Sequence, residues 1–209
     1  MTIMIIGASG RSGKAVTQEL LKRGHKVRGL VRKKERYGTP EEGVTLIEGD
    51  SLDYASMKEA AAGADVIVST MGPVRNSPAH LMQQSAEHTI AAAKAAGIQR
   101  VIWMSGAGVK DSRDEKSISR PIIRGIMKIV AGSVLKDSEA GYKVITGSDL
   151  DYTILRAPIL KDGEAERDYQ LSYTPPKAQP LTRGDIAVAI ADLIQENAWV
   201  KESPMIGKK

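Results

Sequence analysis

A glycine-rich turn follows the first apolar run of the chain and opens its first helical pattern. The apolar run 3–6 leads directly into Gly7, Gly10 and Gly13. Glycine permits a sharp turn and lets backbone N–H groups come close to a ligand. A strand, a glycine turn and a helix in this order predict a βαβ unit, with an anion-binding site where the helix begins.

The rest of the chain repeats this alternation of short apolar runs and helical patterns. Such alternation is typical of folds in which helices cover both faces of a parallel sheet, and 209 residues suit one core. We therefore predict a Rossmann-like, doubly wound parallel sheet in three α/β/α layers, forming a single domain over residues 1–209. The predicted strands are 3–6, 26–31, 44–48, 66–69, 101–105 and 152–156, and the predicted helices are 12–23, 54–62, 80–96, 122–146 and 183–196.

Two stretches interrupt the alternation. Residues 106–120 are polar and charged, and residues 161–180 contain three prolines. Ligands of doubly wound sheets bind beyond the carboxyl ends of the strands, and long loops in compact domains often carry function. We expect both stretches to be substrate-side loops over one site.

The composition excludes several classes of protein. The chain has no cysteine, and its three histidines are not at metal-ligand spacings, so we expect neither disulfides nor a metal. It starts with a strand, and its apolar runs are too short for a bilayer, which predicts a cytoplasmic protein without a membrane partner. The net charge of +5 is concentrated in a basic cluster over residues 22–36. No aromatic residues accompany it in a binding motif, so we expect no nucleic-acid partner.

A nucleotide-binding P-loop is the main competitor for the glycine turn. That loop needs four residues between its glycines and a Ser or Thr after its Lys. Here five residues separate Gly7 from Gly13, and Ala15 follows Lys14. The turn therefore favours a dinucleotide site over a kinase or ATPase site, with a ligand-free glycine turn as the structural alternative.

The residues after the second predicted strand bear on which dinucleotide binds. Sites for NAD place an acidic residue there to accept hydrogen bonds from the ribose hydroxyls. This chain has Arg32 instead, and a guanidinium can fork onto a 2′-phosphate. Arg11 lies in the glycine turn on the same side. We therefore predict that NADP(H) is preferred over NAD(H).

Four sequence segments resemble the atypical short-chain dehydrogenase/reductase families. The similarity is greatest to the group that contains NADPH-dependent flavin reductase (biliverdin reductase B) and NmrA-like NADPH-binding proteins. The segments are 7–13 (GASGRSG), 30–32 (LVR), 49–53 (GDSLD) and 150–158 (LDYTILRAP), supported by 182–187 (TRGDIA) in the last predicted helix. They cover nearly the whole chain, so the resemblance implies the fold and the class of cofactor.

The resemblance also implies a set of cofactor contacts. Asp50 would lie at the adenine, residues 69–73 would pass along the nicotinamide half, and Ser105 would border the reacting carbon. Turn formation explains Asp50 equally well when it is taken alone. The predicted cofactor-binding residues are Gly7, Ser9, Gly10, Arg11, Ser12, Gly13, Arg32, Asp50, Ser51, Leu52, Thr70, Met71, Gly72, Ser105 and Pro158.

The catalytic Tyr-x-x-x-Lys pair of the broader superfamily has no counterpart at the expected place. Tyr54 and Lys58 fall on the adenine side, and the spacing match at 173–177 contains two prolines, which forbid a helix. Distance from the 150–158 segment aligns Val134 and Ser138 with the missing pair. Tyr142 and Lys143 lie further along the same helix and are the remaining candidates, with Ser105, for catalysis.

These residues favour a reductase whose acceptor can be reduced without a protein side chain that donates a proton. Flavins and quinones are such acceptors, and a small conjugated acceptor of this kind is the predicted partner of an NADPH-dependent oxidoreductase. The alternatives are a non-catalytic, NADP(H)-sensing protein of NmrA-like type and a nucleotide-sugar epimerase or dehydratase. A monomer and a homodimer both fit the sequence. The predicted apolar rim for the acceptor is Met71, Pro73, Ala107, Pro158, Ile159 and Tyr173.

Overall fold

A computed structural model describes residues 1–73, 77–115, 119–174 and 179–209. Six strands and five helices alternate along most of the chain, as predicted. In chain order the elements are β1 (Thr2–Ile6), α1 (Arg11–Lys22), β2 (Lys26–Val31), β3 (Val44–Glu48), α2 (Tyr54–Ala61), β4 (Val66–Ser69), α3 (Leu81–Ala96), β5 (Arg100–Gly106), α4 (Ser119–Thr146), β6 (Asp151–Ala157), β7 (Leu160–Lys161), β8 (Gln170–Ser172), β9 (Leu181–Thr182), α5 (Arg183–Gln195) and β10 (Met205–Gly207).

The main sheet has the order β3-β2-β1-β4-β5-β6-β10-β8. All neighbouring strands in it are parallel except β10 and β8, which are antiparallel. The winding direction reverses between β1 and β4, where the chain leaves the first half of the sheet for the second. The predicted Rossmann-like doubly wound sheet is therefore confirmed.

Apolar side chains alternate between the two faces of the sheet. In β1, Ile3 and Ile5 pack under α1 and α5, while Met4 and Ile6 pack under α2 and α3. Both sets are at most 1% exposed, which is why the strand reads as a continuous apolar run. The core is mostly aliphatic, as expected for a chain without phenylalanine.

The carboxyl-terminal third departs from the prediction, because the stretch 161–180 is not loop throughout. β8 lies within it and pairs with β10, and Lys161 belongs to β7, which pairs with β9 in a separate two-stranded sheet. These strands have two or three residues each, too few for a periodic pattern. Pairing over a long sequence distance forms them rather than local propensity. Pro175, Pro176 and Lys177 lie outside the described residues.

Neither a membrane span nor a metal site is found in the described part of the chain. None of its helices combines the length and the apolarity that crossing a bilayer requires. No group of three or more His, Asp or Glu side chains within these ranges is placed to hold a metal ion.

Candidate functional site

A cleft of about 730 Å³ opens at the carboxyl ends of the strands. It spans the point between β1 and β4 at which the winding reverses, where ligands of doubly wound sheets bind. Its volume falls within the range of sites for small molecules and cofactors. The described lining comes from the glycine turn, the ends of β1 to β6 and the residues that follow them, the start of α3, α4, β7 and the first residue of α5.

The glycine turn forms one wall of this cleft. Gly7 has φ +82°, a left-handed conformation, and its carbonyl accepts a hydrogen bond from the N–H of Gly10 at 2.9 Å. A Cβ on Gly13 would lie 2.2 Å from the Gly7 carbonyl oxygen, so α1 can approach the turn only with glycine there. Within the described residues no side chain caps α1 at Gly10. Its first N–H groups can therefore serve an anionic ligand.

Thr70 and Ser105 form the wall on the side of β4 and β5. The Thr70 hydroxyl donates to the Ile6 carbonyl at 3.1 Å and so ties the end of β4 to β1. The Ser105 hydroxyl is buried and has no hydrogen-bond partner in the part of the chain that the structure describes. A buried hydroxyl of this kind calls for a partner, and a bound ligand in the cleft would supply one.

Arginines dominate the charge of the cleft. Four arginines and a single carboxylate, that of Asp50, occur among the described lining residues. Arg32 follows β2. Arg36 also lines the cleft after β2. The sequence analysis counted Arg36 in the basic cluster 22–36 but gave it no role in binding. The arginines are Arg11, Arg32, Arg36 and Arg183. This balance suits a ligand that carries several phosphates.

Asp50 and its neighbours have structural partners of their own. The Asp50 carboxylate accepts the N–H of Leu52 at 3.0 Å, which is the turn that the sequence also allowed. The Ser51 hydroxyl accepts a hydrogen bond from Ser85 at 2.8 Å. Asp50, Ser51 and Leu52 all line the cleft.

The cleft collects nearly all of the predicted cofactor residues. Gly13 is the exception, because it packs behind the turn. Ser105 also lines the cleft, whereas Tyr142 and Lys143 do not. Val134 and Ser138, the positions aligned with the missing Tyr-Lys pair, are both part of the cleft wall.

The catalytic role predicted for Tyr142 and Lys143 is not supported by this geometry. The Tyr142 hydroxyl donates to Asp111 at 2.7 Å, away from the cleft. Burial raises the pKa of Tyr142 to about 12, which makes the phenol a poor proton carrier near neutral pH. Lys143 is exposed. Both residues lie one to two turns beyond Val134 and Ser138, and that distance along α4 takes them past the cleft.

Half of the predicted apolar rim lines the cleft, namely Met71, Pro73 and Pro158. Ala107, Ile159 and Tyr173 do not line it, and Ile159 is 84% exposed. Other apolar residues also line the cleft, among them Pro78, Leu81, Met82, Met104, Val109, Val134, Leu135, Ala157 and Leu160. The sequence analysis named Val134 only as the position aligned with the missing Tyr, because the sequence pattern does not show which side chains of α4 face the cleft.

An ionic cluster holds the segment 107–115 against the end of β6. Arg156 is fully buried and donates two hydrogen bonds to Asp114, at 2.9 and 2.6 Å, and one to the Val109 carbonyl at 2.9 Å. Burial alone would raise the pKa of Asp111, but hydrogen bonds from Arg113 and Tyr142 hold it well below its usual value. Because Val109 lines the cleft, this cluster (Asp111, Arg113, Asp114 and Arg156) fixes one of its walls.

A family described as NAD(P)H-binding matches residues 7–197 of this chain. The chain belongs to this NAD(P)H-binding family. The match spans the glycine turn, β2 to β6 and α5. The membership in an NAD(P)-binding family that the four sequence segments predicted is therefore confirmed, and NAD(P)H binding by the cleft is supported.

The curated relatives align with this chain over only part of their own length. The chain is 32% identical over 148 residues to a photosystem II assembly factor of Cyanophora paradoxa, covering 69% of this chain and 44% of that protein. It is 30% identical over 131 residues to cinnamoyl-CoA reductase 1 of Petunia hybrida, covering 56% and 39%. The chain thus spans about two-fifths of the length of these relatives.

Solved structures match over nearly the full length. The anaerobillin reductase ChuY of Escherichia coli O157:H7 has a TM-score of 0.84 at 23% identity, with 100% of this chain and 97% of that chain covered. A short-chain dehydrogenase/reductase of Veillonella parvula in complex with NADP has a TM-score of 0.80 at 23% identity, with 99% and 94% covered. At these identities the likeness shows that the fold is shared.

Proposed function

We propose that the chain is an NADPH-dependent reductase that transfers hydride to a flavin, a quinone or a similar conjugated acceptor. One observation carries the proposal: the cleft combines a dinucleotide cradle with a wall on which no Tyr, His or Lys occurs among the described lining residues. Reduction of an ordinary ketone needs such a group to move a proton to the oxygen. A conjugated acceptor takes hydride at a ring position, and water can supply the remaining protons.

The residues of the cleft fit the dinucleotide. The uncapped start of α1 would hold the pyrophosphate, and Asp50 and Leu52 would border the adenine. Thr70 and the buried Ser105 hydroxyl would hydrogen-bond near the nicotinamide. The nicotinamide supplies the hydride when it is bound. What the protein must then do is hold two flat rings at reacting distance between apolar side chains such as Met71, Pro158 and Leu160.

We further propose that this site prefers NADP(H) over NAD(H). Arg32 and Arg36 both line the end of the cleft that follows β2. A pair of guanidiniums suits the additional 2′-phosphate, whereas the ribose hydroxyls of NAD would call for a carboxylate.

Replacing Arg32 with alanine should weaken NADPH binding by about tenfold or more, because a charge-assisted hydrogen bond is lost. Binding of NADH should change little. Isothermal titration of both nucleotides measures the effect, and Lys33→Ala, which removes a neighbouring charge outside the described lining, is the matched control. The preference would be wrong if the wild-type protein bound both nucleotides equally, or if Arg32→Ala left NADPH binding unchanged.

Turnover tests the reductase assignment directly. We expect steady loss of NADPH absorbance when the protein is mixed with FMN, riboflavin or a quinone under anaerobic conditions. Tight NADPH binding without oxidation by any of these acceptors would instead support the non-catalytic NADP(H) sensor, which the lack of Tyr, His and Lys among the described lining residues also favours. The epimerase or dehydratase alternative is less favoured, because such reactions commonly use one of these side chains to move a proton.

We place the acceptor against the segment 106–120 and the stretch 161–180, since Gly106, Gly108 and Val109 line the cleft and Asp162 pairs with two of its arginines. A monomer or homodimer, a cytoplasmic location, and the lack of nucleic-acid and membrane partners stay predictions.

A further inference from the structure

Arg183 is a nearly buried arginine in the cleft to which the sequence interpretation gave no role. It is the first residue of α5, and its side chain is 12% exposed. Its Nη1 donates to the carboxylate of Asp162 at 2.6 Å. Its Nε is buried and has no hydrogen-bond partner within residues 1–73, 77–115, 119–174 and 179–209. A guanidinium removed from water in this way favours further anionic or acceptor groups.

The partner of Arg183 is far more exposed than Arg183 itself. The Asp162 side chain is 67% exposed and also pairs with Arg11 of the glycine turn, at 3.3 Å. The backbone beyond it is fixed, because the Gly163 carbonyl accepts the N–H of Gly184 at 3.1 Å. The carboxylate of Asp185 accepts the N–H of Glu166 at 2.8 Å. Asp162 is therefore an exposed carboxylate on a fixed backbone, and a change of its rotamer would uncover Arg183.

From these contacts we propose that Arg183 binds an anionic group of the acceptor, a phosphate or a carboxylate. While the acceptor is absent, the Asp162 carboxylate pairs with Arg183 in its place. The inference rests on the proposed reductase function and narrows its substrate class to acceptors that carry an acidic substituent. Arg183 directly follows β9, which pairs with β7 (Leu160–Lys161) after β6, whereas Arg32 and Arg36 follow β2, on the other side of β1 and β4 in the sheet order. This position assigns Arg183 to the acceptor and not to the 2′-phosphate.

FMN and riboflavin test the subsite, because they differ by one phosphate. We expect the NADP-saturated protein to bind FMN about tenfold more tightly than riboflavin, measured by quenching of flavin fluorescence. Arg183→Gln should abolish this preference, and Arg183→Lys should restore part of it. Asp162→Asn should increase the preference severalfold, because the competing carboxylate is gone. Arg167→Gln removes one positive charge from an exposed position nearby and should leave the preference unchanged.

Other outcomes would overturn the subsite. Equal binding of the two flavins by the wild-type protein, or binding of neither, contradicts it. A loss of NADPH affinity in Arg183→Gln, with the FMN preference intact, would assign the arginine to a cofactor phosphate instead. Thermal melting of each variant verifies that it is folded. Arg183→Gln could abolish the preference for FMN while no acceptor oxidises NADPH. That result would support the subsite and contradict the reductase function.

Discussion

Replacing Arg156 with methionine is expected to lower the free energy of unfolding by about 3–5 kcal/mol, because it removes the guanidinium that pairs with the buried carboxylate of Asp114. Arg156 is fully buried, and its guanidinium reaches Asp114 as well as the Ser203 and Val109 carbonyls. Removing it leaves all three acceptors without that donor. Urea unfolding of the wild-type and variant proteins measures the difference.

An exposed ion pair supplies the control for this variant. Arg11→Met breaks a pair whose side chains are 73% and 67% exposed, and such pairs contribute about 1 kcal/mol or less. The double change Arg156→Met with Asp114→Leu should recover part of the loss, since the carboxylate that loses its guanidinium is removed as well. A loss below about 1 kcal/mol for Arg156→Met would contradict the role given to the ionic cluster.

Replacing Gly13 with alanine is expected to destabilise the protein by about 1–3 kcal/mol and to weaken NADPH binding at least tenfold. The new Cβ would lie 2.2 Å from the Gly7 carbonyl oxygen and 2.8 Å from the Ala8 Cα. Both contacts are with backbone, so relief requires α1 to move away from the turn. That movement displaces the N–H groups that would hold the pyrophosphate. Thermal unfolding and titration with NADPH measure the two effects.

Gly132 provides a matched control within another helix. Among the described residues, a Cβ there would meet no atom within 4 Å, so we expect no clash from the same substitution. Alanine is the better helix former, and Gly132→Ala should stabilise the protein by about 0.5–1 kcal/mol. If Gly13→Ala behaved like Gly132→Ala, the close approach of α1 to the turn would be wrong.

Much of the fold could be predicted because its signals are local. Each of the six predicted strands is present with its ends shifted by at most one residue, for example β5 at Arg100–Gly106 against the predicted 101–105. The glycine turn could be predicted for the same reason, because the backbone atoms that exclude a Cβ at Gly13 belong to residues only five and six positions away. The short strands β8 and β10 carry no such local signal, and pairing across the chain creates them.

The lining of the cleft was predictable at the strand ends and not on α4 and after β6. The residues predicted to bind the cofactor follow strand ends, so the order of strands alone brings Gly7, Asp50 and Thr70 to one edge of the sheet. On α4 and in the stretch after β6, small changes in register decide which side chains face the cleft. Tyr142 was predicted to reach the cleft, but it donates to Asp111 instead.

The sequence by itself determined the doubly wound sheet, the glycine cradle and the family, because strand periodicity and turn chemistry act between residues close along the chain. Only the tertiary structure decided that Arg156 is buried against Asp114, that Tyr142 serves the ionic cluster, and that Arg183 meets Asp162 in the cleft. Burial and charge pairing depend on which distant segments pack together. No pattern within a single segment records that choice.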